Sequence, residues 1–114
     1  MLPVENRLKV NKAQSYRWVN KRQLYTPFFK IVFRFSSKEQ EPKFGFITPG
    51  KIKGAVKRNT IRRYFVEAIR KNLEKLPKSL EAIVVADKKA AEANHEEISD
   101  WIDKTLPKIY KPAQ

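Results

Sequence analysis

The sequence predicts an α+β fold, a sandwich of helices packed on a small mixed sheet, and three observations predict it. Residues 28–35 alternate, with Phe29, Ile31, Phe33 and Phe35 on one face and Phe28, Lys30, Val32 and Arg34 on the other, the period of a half-buried strand. Ala82-Ile83-Val84-Val85-Ala86 is a continuous apolar run of strand length, suited to a central strand parallel to a neighbour. Two further segments, 58–73 and 94–106, carry apolar residues at three-and-four spacing, the period of amphipathic helices.

In chain order, residues 1–10, with Pro3 and Asn6-Arg7-Leu8-Lys9, read as an extended or partly ordered basic lead-in of the kind that orders on a partner. A short helix is expected over 12–20, where Ala13, Tyr16 and Val19 recur every three residues. Leu24-Tyr25-Thr26-Pro27 interrupts it, because the residue before a proline is pushed out of the helical region. After the 28–35 strand, the polar stretch 36–42 turns the chain and 43–48 resumes a strand with Phe44 and Phe46 on one face; the two strands are expected to form a hairpin. Pro49-Gly50 breaks that strand, and Gly54 adds backbone freedom to a basic loop.

The helix that follows places Ile61, Tyr64, Phe65, Ala68, Ile69 and Leu73 toward a core. Residues 87–94 form a polar, alanine-rich connection. Asn94 with Glu97 three residues later reads as a capping box opening the last helix, which buries Ile98, Trp101, Ile102 and Leu106 until Pro107 ends or bends it.

The 114 residues suffice for one domain, taken as 1–114, with one modest core. Charge is the outstanding compositional feature. There are 25 Lys and Arg against 12 Asp and Glu, a net +13, which implies a polyanionic partner: nucleic acid ahead of an anionic membrane surface. No apolar run approaches the roughly 18 residues that span a bilayer, and Met1-Leu2-Pro3-Val4 is too short for a signal-peptide core, so a cytoplasmic location is expected. The absence of cysteine excludes disulfides, thiolate chemistry and a zinc knuckle.

The positive charge is concentrated on the helix that begins near Arg58. Asn59, Arg62, Arg63, Val66 and Arg70 fall on one side, next to the apolar stripe, and Glu67 and Glu74 are the only acids nearby, Glu67 within reach of Arg63 and Lys71. Most of these cations lack an internal partner, and the planar guanidinium fork matches phosphate oxygens. A solvated face explains most charge runs, but it does not require arginine without acids.

The Phe28, Lys30, Val32, Arg34 face of the first strand mixes aromatic and basic residues and suits single-stranded nucleic acid; an ordinary solvated sheet face is an equal alternative. The glycine-containing loop before the helix is a reasonable anion site, without Walker spacing.

Catalytic chemistry is not evident. His95 stands alone at an acidic helix start, far along the chain from the basic stripe, with no Cys, His or clustered carboxylates at triad or metal spacing. Hydrolysis of a phosphodiester by protein side chains usually needs carboxylates holding two metal ions, and here the acids collect in the C-terminal segment. A self-sufficient nuclease is not expected.

The run Ala55-Val56-Lys57-Arg58-Asn59-Thr60-Ile61-Arg62-Arg63, preceded by Lys51, resembles the Arg-Asn signature of the bacterial ribonuclease P protein subunit. The similarity extends over most of the chain: the Asn6-Arg7-Leu8-Lys9 entry, a strand ending in Gly45, the signature helix, a strand at 82–86 and a closing helix. Three places depart from the family pattern. Gly50 stands where a second Lys is usual, Val66 where Arg is frequent, and 14–20 lacks the usual Asp-Phe pair.

The resemblance implies the order α-β-β-β-α-β-α, with a third short strand and a left-handed βαβ crossover holding the signature helix. It also implies a ribonucleoprotein endoribonuclease in which an RNA subunit, holding most of the Mg2+, hydrolyses precursor tRNA. The protein binds that RNA and the 5′ leader, with no catalytic residue or metal of its own, no membrane and no small-molecule substrate. Carried onto this sequence, Arg58, Asn59, Arg62 and Arg63 are the signature contacts, Lys51, Lys53 and Lys57 extend them, and Arg70, Arg7 and Lys9 complete the RNA-binding set. Tyr16, Phe28, Lys30 and Arg34 are the candidates for the leader-binding cleft between the first helix and the sheet. The alternatives are a general RNA-binding module such as a ribosomal protein, and an enzyme acting alone.

Overall fold

Loop 36–42 decides the topology. Ser36 N donates to Ser79 O at 2.8 Å, Ser79 N to Gln40 O at 2.7 Å and Ser79 Oγ to Lys38 O at 2.8 Å, so the loop wraps around the residue that precedes the apolar 80–86 segment. Ser79 is buried and sits at φ 71°, a left-handed conformation uncommon for a non-glycine residue and held here by these bonds. The computed structural model describes residues 2–8, 18, 21–49 and 52–110. They form strands β1 (Arg22–Tyr25), β2 (Phe29–Phe35), β3 (Lys43–Ile47) and β4 (Leu80–Ala86), and helices α1 (Ala55–Arg70) and α2 (His95–Thr105).

The sheet order is β1-β2-β4-β3. The expected hairpin between β2 and β3 therefore does not form: β4 lies between them, antiparallel to β2 from Phe29↔Ala86 to Phe35↔Leu80 and parallel to β3 from Lys43↔Glu81 to Ile47↔Val85. The reason is burial. With Glu81 its only polar residue, β4 would expose an apolar row at an edge, and the middle of a mixed sheet covers both its faces. Its parallel pairing with β3 makes β3-α1-β4 a crossover unit.

β1 is a second correction. The segment read as a mere interruption pairs with β2 from Arg22↔Phe33 to Tyr25↔Lys30, and it supplies the third short strand that the family resemblance implies. Its turn is closed by Thr26, whose Oγ1 donates to Phe29 O at 2.9 Å and accepts from Phe28 N and Phe29 N. The expected helix over 12–20 lies outside the described residues except for Trp18.

Both helices pack on the face formed by Phe29, Ile31, Phe33, Leu80, Ala82 and Val84. α1 contributes Ile61, Phe65, Ala68 and Ile69, as its periodicity predicts, with Phe65 edge-on to Phe29 at 5.2 Å between ring centroids; Tyr64 and Leu73 are half-buried at the margin. α2 inserts Ile98 and Ile102, and its capping box is formed: Glu97 N donates to Asn94 Oδ1 at 2.8 Å and Asn94 N to Glu97 Oε1 at 3.2 Å. Pro107 lies in a 3-10 turn, Leu106–Lys108, that follows the helix directly. α1 begins at Ala55, three residues earlier than its apolar period suggests, behind Gly54 at φ 92°, a conformation that strains any residue with a Cβ.

The lead-in is packed over residues 2–8. Leu2 is 4% exposed and Asn6 6%; Asn6 Nδ2 donates to Pro42 O at 2.8 Å, Arg7 bridges Phe44 in parallel and Leu8 N donates to Phe44 O at 3.0 Å. This strap covers the otherwise free edge of β3.

Candidate nucleic-acid interface

Burial of Ile61, Phe65, Ala68 and Ile69 fixes the rotation of α1 and so turns Asn59, Arg62, Arg63 and Arg70 to solvent, with Val66 half-buried between them. Lys53 and Lys57 are exposed before and within the first turn, which carries no acid. The side chains of Arg62, Arg63 and Arg70 make no hydrogen bond or ion pair to the described residues. Arg58 differs from its neighbours: it is half-buried, and its Nη1 donates to Ile52 O at 3.0 Å, anchoring the preceding loop through the buried Ile52. Lys9 and Lys51 lie outside the described residues.

The single carboxylate of α1 is met by α2. Sequence spacing let Glu67 reach Arg63 or Lys71 and left His95 far off; instead His95 Nε2 is 3.0 Å from Glu67 Oε2, and the imidazole stands edge-on to Tyr64 at 5.3 Å. Lys71 is likewise turned to α2, donating to Ser99 Oγ at 2.7 Å. The α1–α2 seam thus takes up the acid that would have competed with phosphate for Arg63.

Arg7 joins this surface from the other end of the sequence. Its Nε donates to Leu2 O at 2.7 Å, and it lines, with Arg62 and Val66, a groove of about 270 Å³ floored by Phe44, Gly45 and Phe46. Sequence reasoning named both arginines but had no means of bringing them together; the strap on β3 does so.

The sheet face opposite the helices carries the second set of candidates. Lys30 is half-buried there, beside its cross-strand neighbour Tyr25, which is 72% exposed. Arg34 Nε pairs with Glu81 Oε1 at 2.9 Å, and its guanidinium lies 4.6 Å from the Trp18 ring centroid. Trp18 itself is buried on Val32 and Ile83. Phe28 does not share this face: the Thr26 turn redirects it, and it packs against the helix-side core. Tyr16 lies outside the described residues.

Tyr25 and Trp18 were missed. Trp18 lies off the Ala13-Tyr16-Val19 period of its segment and Tyr25 in a stretch read as a break, and only the pairing of β1 and the apolar patch on β2 and β4 bring them to this face. A cleft of about 410 Å³ adjoins Tyr25 and Lys30 and is bounded by Pro49, Val85, Asp87 and Lys88.

Among the described residues no three of His, Cys, Asp and Glu stand close enough to hold a metal ion, and no helix is long and apolar enough to cross a membrane.

Known proteins share both the sequence pattern and the architecture. A family model described as Ribonuclease P matches residues 2–110. The ribonuclease P protein component of Fusobacterium nucleatum is 32% identical over 106 residues, covering 93% of this chain and 95% of that protein; that of Aliivibrio fischeri is 30% identical, with 94% and 92% covered. The RNase P protein from Thermotoga maritima superposes with a TM-score of 0.79 at 21% identity, over 92% of this chain and 98% of its own. The Staphylococcus aureus RNase P protein gives 0.77 at 19% identity, over 90% and 93%.

Proposed function

The chain belongs to the ribonuclease P protein component family, and on that premise we propose that it binds the RNA subunit of ribonuclease P through α1 and the 5′ leader of precursor tRNA through the outer face of the sheet. The observation that carries this is the arginine face of α1. Arg62, Arg63 and Arg70 are exposed while the only carboxylate of the helix, Glu67, is held by His95. Unpaired guanidinium groups on a rigid helix grip phosphates without first breaking an internal salt bridge.

On the sheet face, Tyr25 offers a stacking surface beside Lys30, and the cleft toward Lys88 gives a single strand somewhere to run. The protein orients RNA and neutralises phosphate charge. On this reading hydrolysis is the work of the RNA subunit and its Mg2+, and the cationic α1 surface, with its one carboxylate beside His95, serves to hold RNA.

The experiment adds this protein to a bacterial ribonuclease P RNA at Mg2+ too low for the RNA alone to act. Restored 5′ processing of precursor tRNA is expected. Binding without restored cleavage would instead favour a general RNA-binding module, and cleavage by protein stripped of RNA would make it an enzyme in its own right.

A further inference from the structure

The groove between the N-terminal strap and α1 combines two chemistries in one slot. Leu2, Leu8, Phe44, Phe46 and Val66 give it an apolar lining, and Arg7 and Arg62 bring guanidinium groups to the same space of about 270 Å³. A purely electrostatic surface has no use for the slot, and a purely apolar partner would have to bury two charged groups. A nucleotide satisfies both, with a flat base against the apolar walls and phosphate oxygens on the arginines.

We infer that this groove takes one base flipped out of an RNA helix while its flanking phosphates rest on Arg7 and Arg62. The inference rests on the reading of α1 as an RNA-binding helix and extends it. Charge complementarity and continuity argue for RNA as the occupant: Arg62 belongs both to the groove and to the exposed stripe, so a duplex lying along α1 passes the mouth of the slot. Arg7 spends Nε on Leu2 O at 2.7 Å, which fixes the side chain and leaves its terminal nitrogens as donors. Among the described residues the lining carries no carboxylate or side-chain amide to read a base edge, and with both arginines on phosphates the slot holds a base by its flat face.

The test compares binding of two RNA duplexes that differ only by one bulged nucleotide, using native protein, Val66→Trp and Arg62→Ala. Native protein is expected to prefer the bulged duplex on the order of ten-fold, the range of one stacked or buried base. Val66→Trp fills the slot and removes no cation, so it should bind the two duplexes equally, with the salt dependence of native protein. Equal affinity of native protein for the two duplexes, or a preference that survives Val66→Trp, overturns the inference.

A readout on native protein guards against a variant that misfolds. Adenosine 5′-monophosphate should shift the amide resonances of Leu8, Phe46 and Val66, and inorganic phosphate should not; identical shifts from both reduce the groove to an anion site. The underlying reading of α1 fails separately, if Arg62→Ala leaves plain-duplex binding and its salt dependence untouched.

Discussion

Arg34 and Glu81 are cross-strand neighbours on β2 and β4, joined at 2.9 Å from Nε to Oε1, with Trp18 stacked on the guanidinium at 4.6 Å. Arg34 is therefore already neutralised on the face proposed to bind the leader. Glu81→Gln should free it and remove a negative charge, raising affinity for single-stranded RNA a few-fold. The lost charge-assisted bond costs about 1 kcal/mol of stability, the pair being partly exposed. Thermal melts and filter binding on the same preparation check both signs; weaker RNA binding by this variant would mean that the pair itself is the RNA contact.

The two sides of α1 should respond in opposite ways to truncation. Arg62→Ala with Arg63→Ala removes exposed groups and substitutes a better helix former, so the fold persists while RNA affinity drops and the log–log salt slope shrinks by about one to two. Phe65→Ala empties a site 2% exposed and in edge contact with Phe29, costing about 3–5 kcal/mol. Denaturation curves together with a salt titration decide it, and an unfolded double-arginine variant is the result that the burial pattern forbids.

Leader length offers a separate probe of the sheet face. Holoenzyme, assayed in Ca2+ so that cleavage is slow, should bind precursor tRNA more tightly as the leader grows by several nucleotides, each stacked base adding roughly 1–3 kcal/mol until the face is full. Tyr25→Ala should flatten part of that series. Phe28→Ala should chiefly lower stability, since its ring packs against the helix-side core. A series already flat with native protein would leave α1 as the only RNA contact.

Asn94→Ala tests whether the seam between the helices depends on where α2 starts. Loss of the bond that Asn94 Oδ1 accepts from Glu97 N should cost about 1 kcal/mol. It should also loosen the His95 contact that holds Glu67, so RNA affinity falls slightly and recovers in a background carrying Glu67→Gln. Recovery is measured by binding isotherms on the single and double variants.

Features that depend on local period and composition were legible in the chain. The apolar stripe of α1, and with it the direction of the arginines, follows from 3.6-residue spacing. The strand character of 28–35 and 82–86 follows from alternation and from an unbroken apolar run, and the start of α2 follows from the reciprocal Asn94–Glu97 pair. The run from Ala55 to Arg63 was specific enough to carry the family. Which strands are neighbours was not legible, because strand pairing is non-local: β4 enters between β2 and β3 with Ser79 bonded to residues 36, 38 and 40, none of which has a period to read. Nor were the partners of the charges legible. Side-chain ion pairs across elements depend on packing geometry, which is why Glu67 meets His95 and not Arg63, why Arg34 is spent on Glu81, and why Arg7 and Arg62 share one groove.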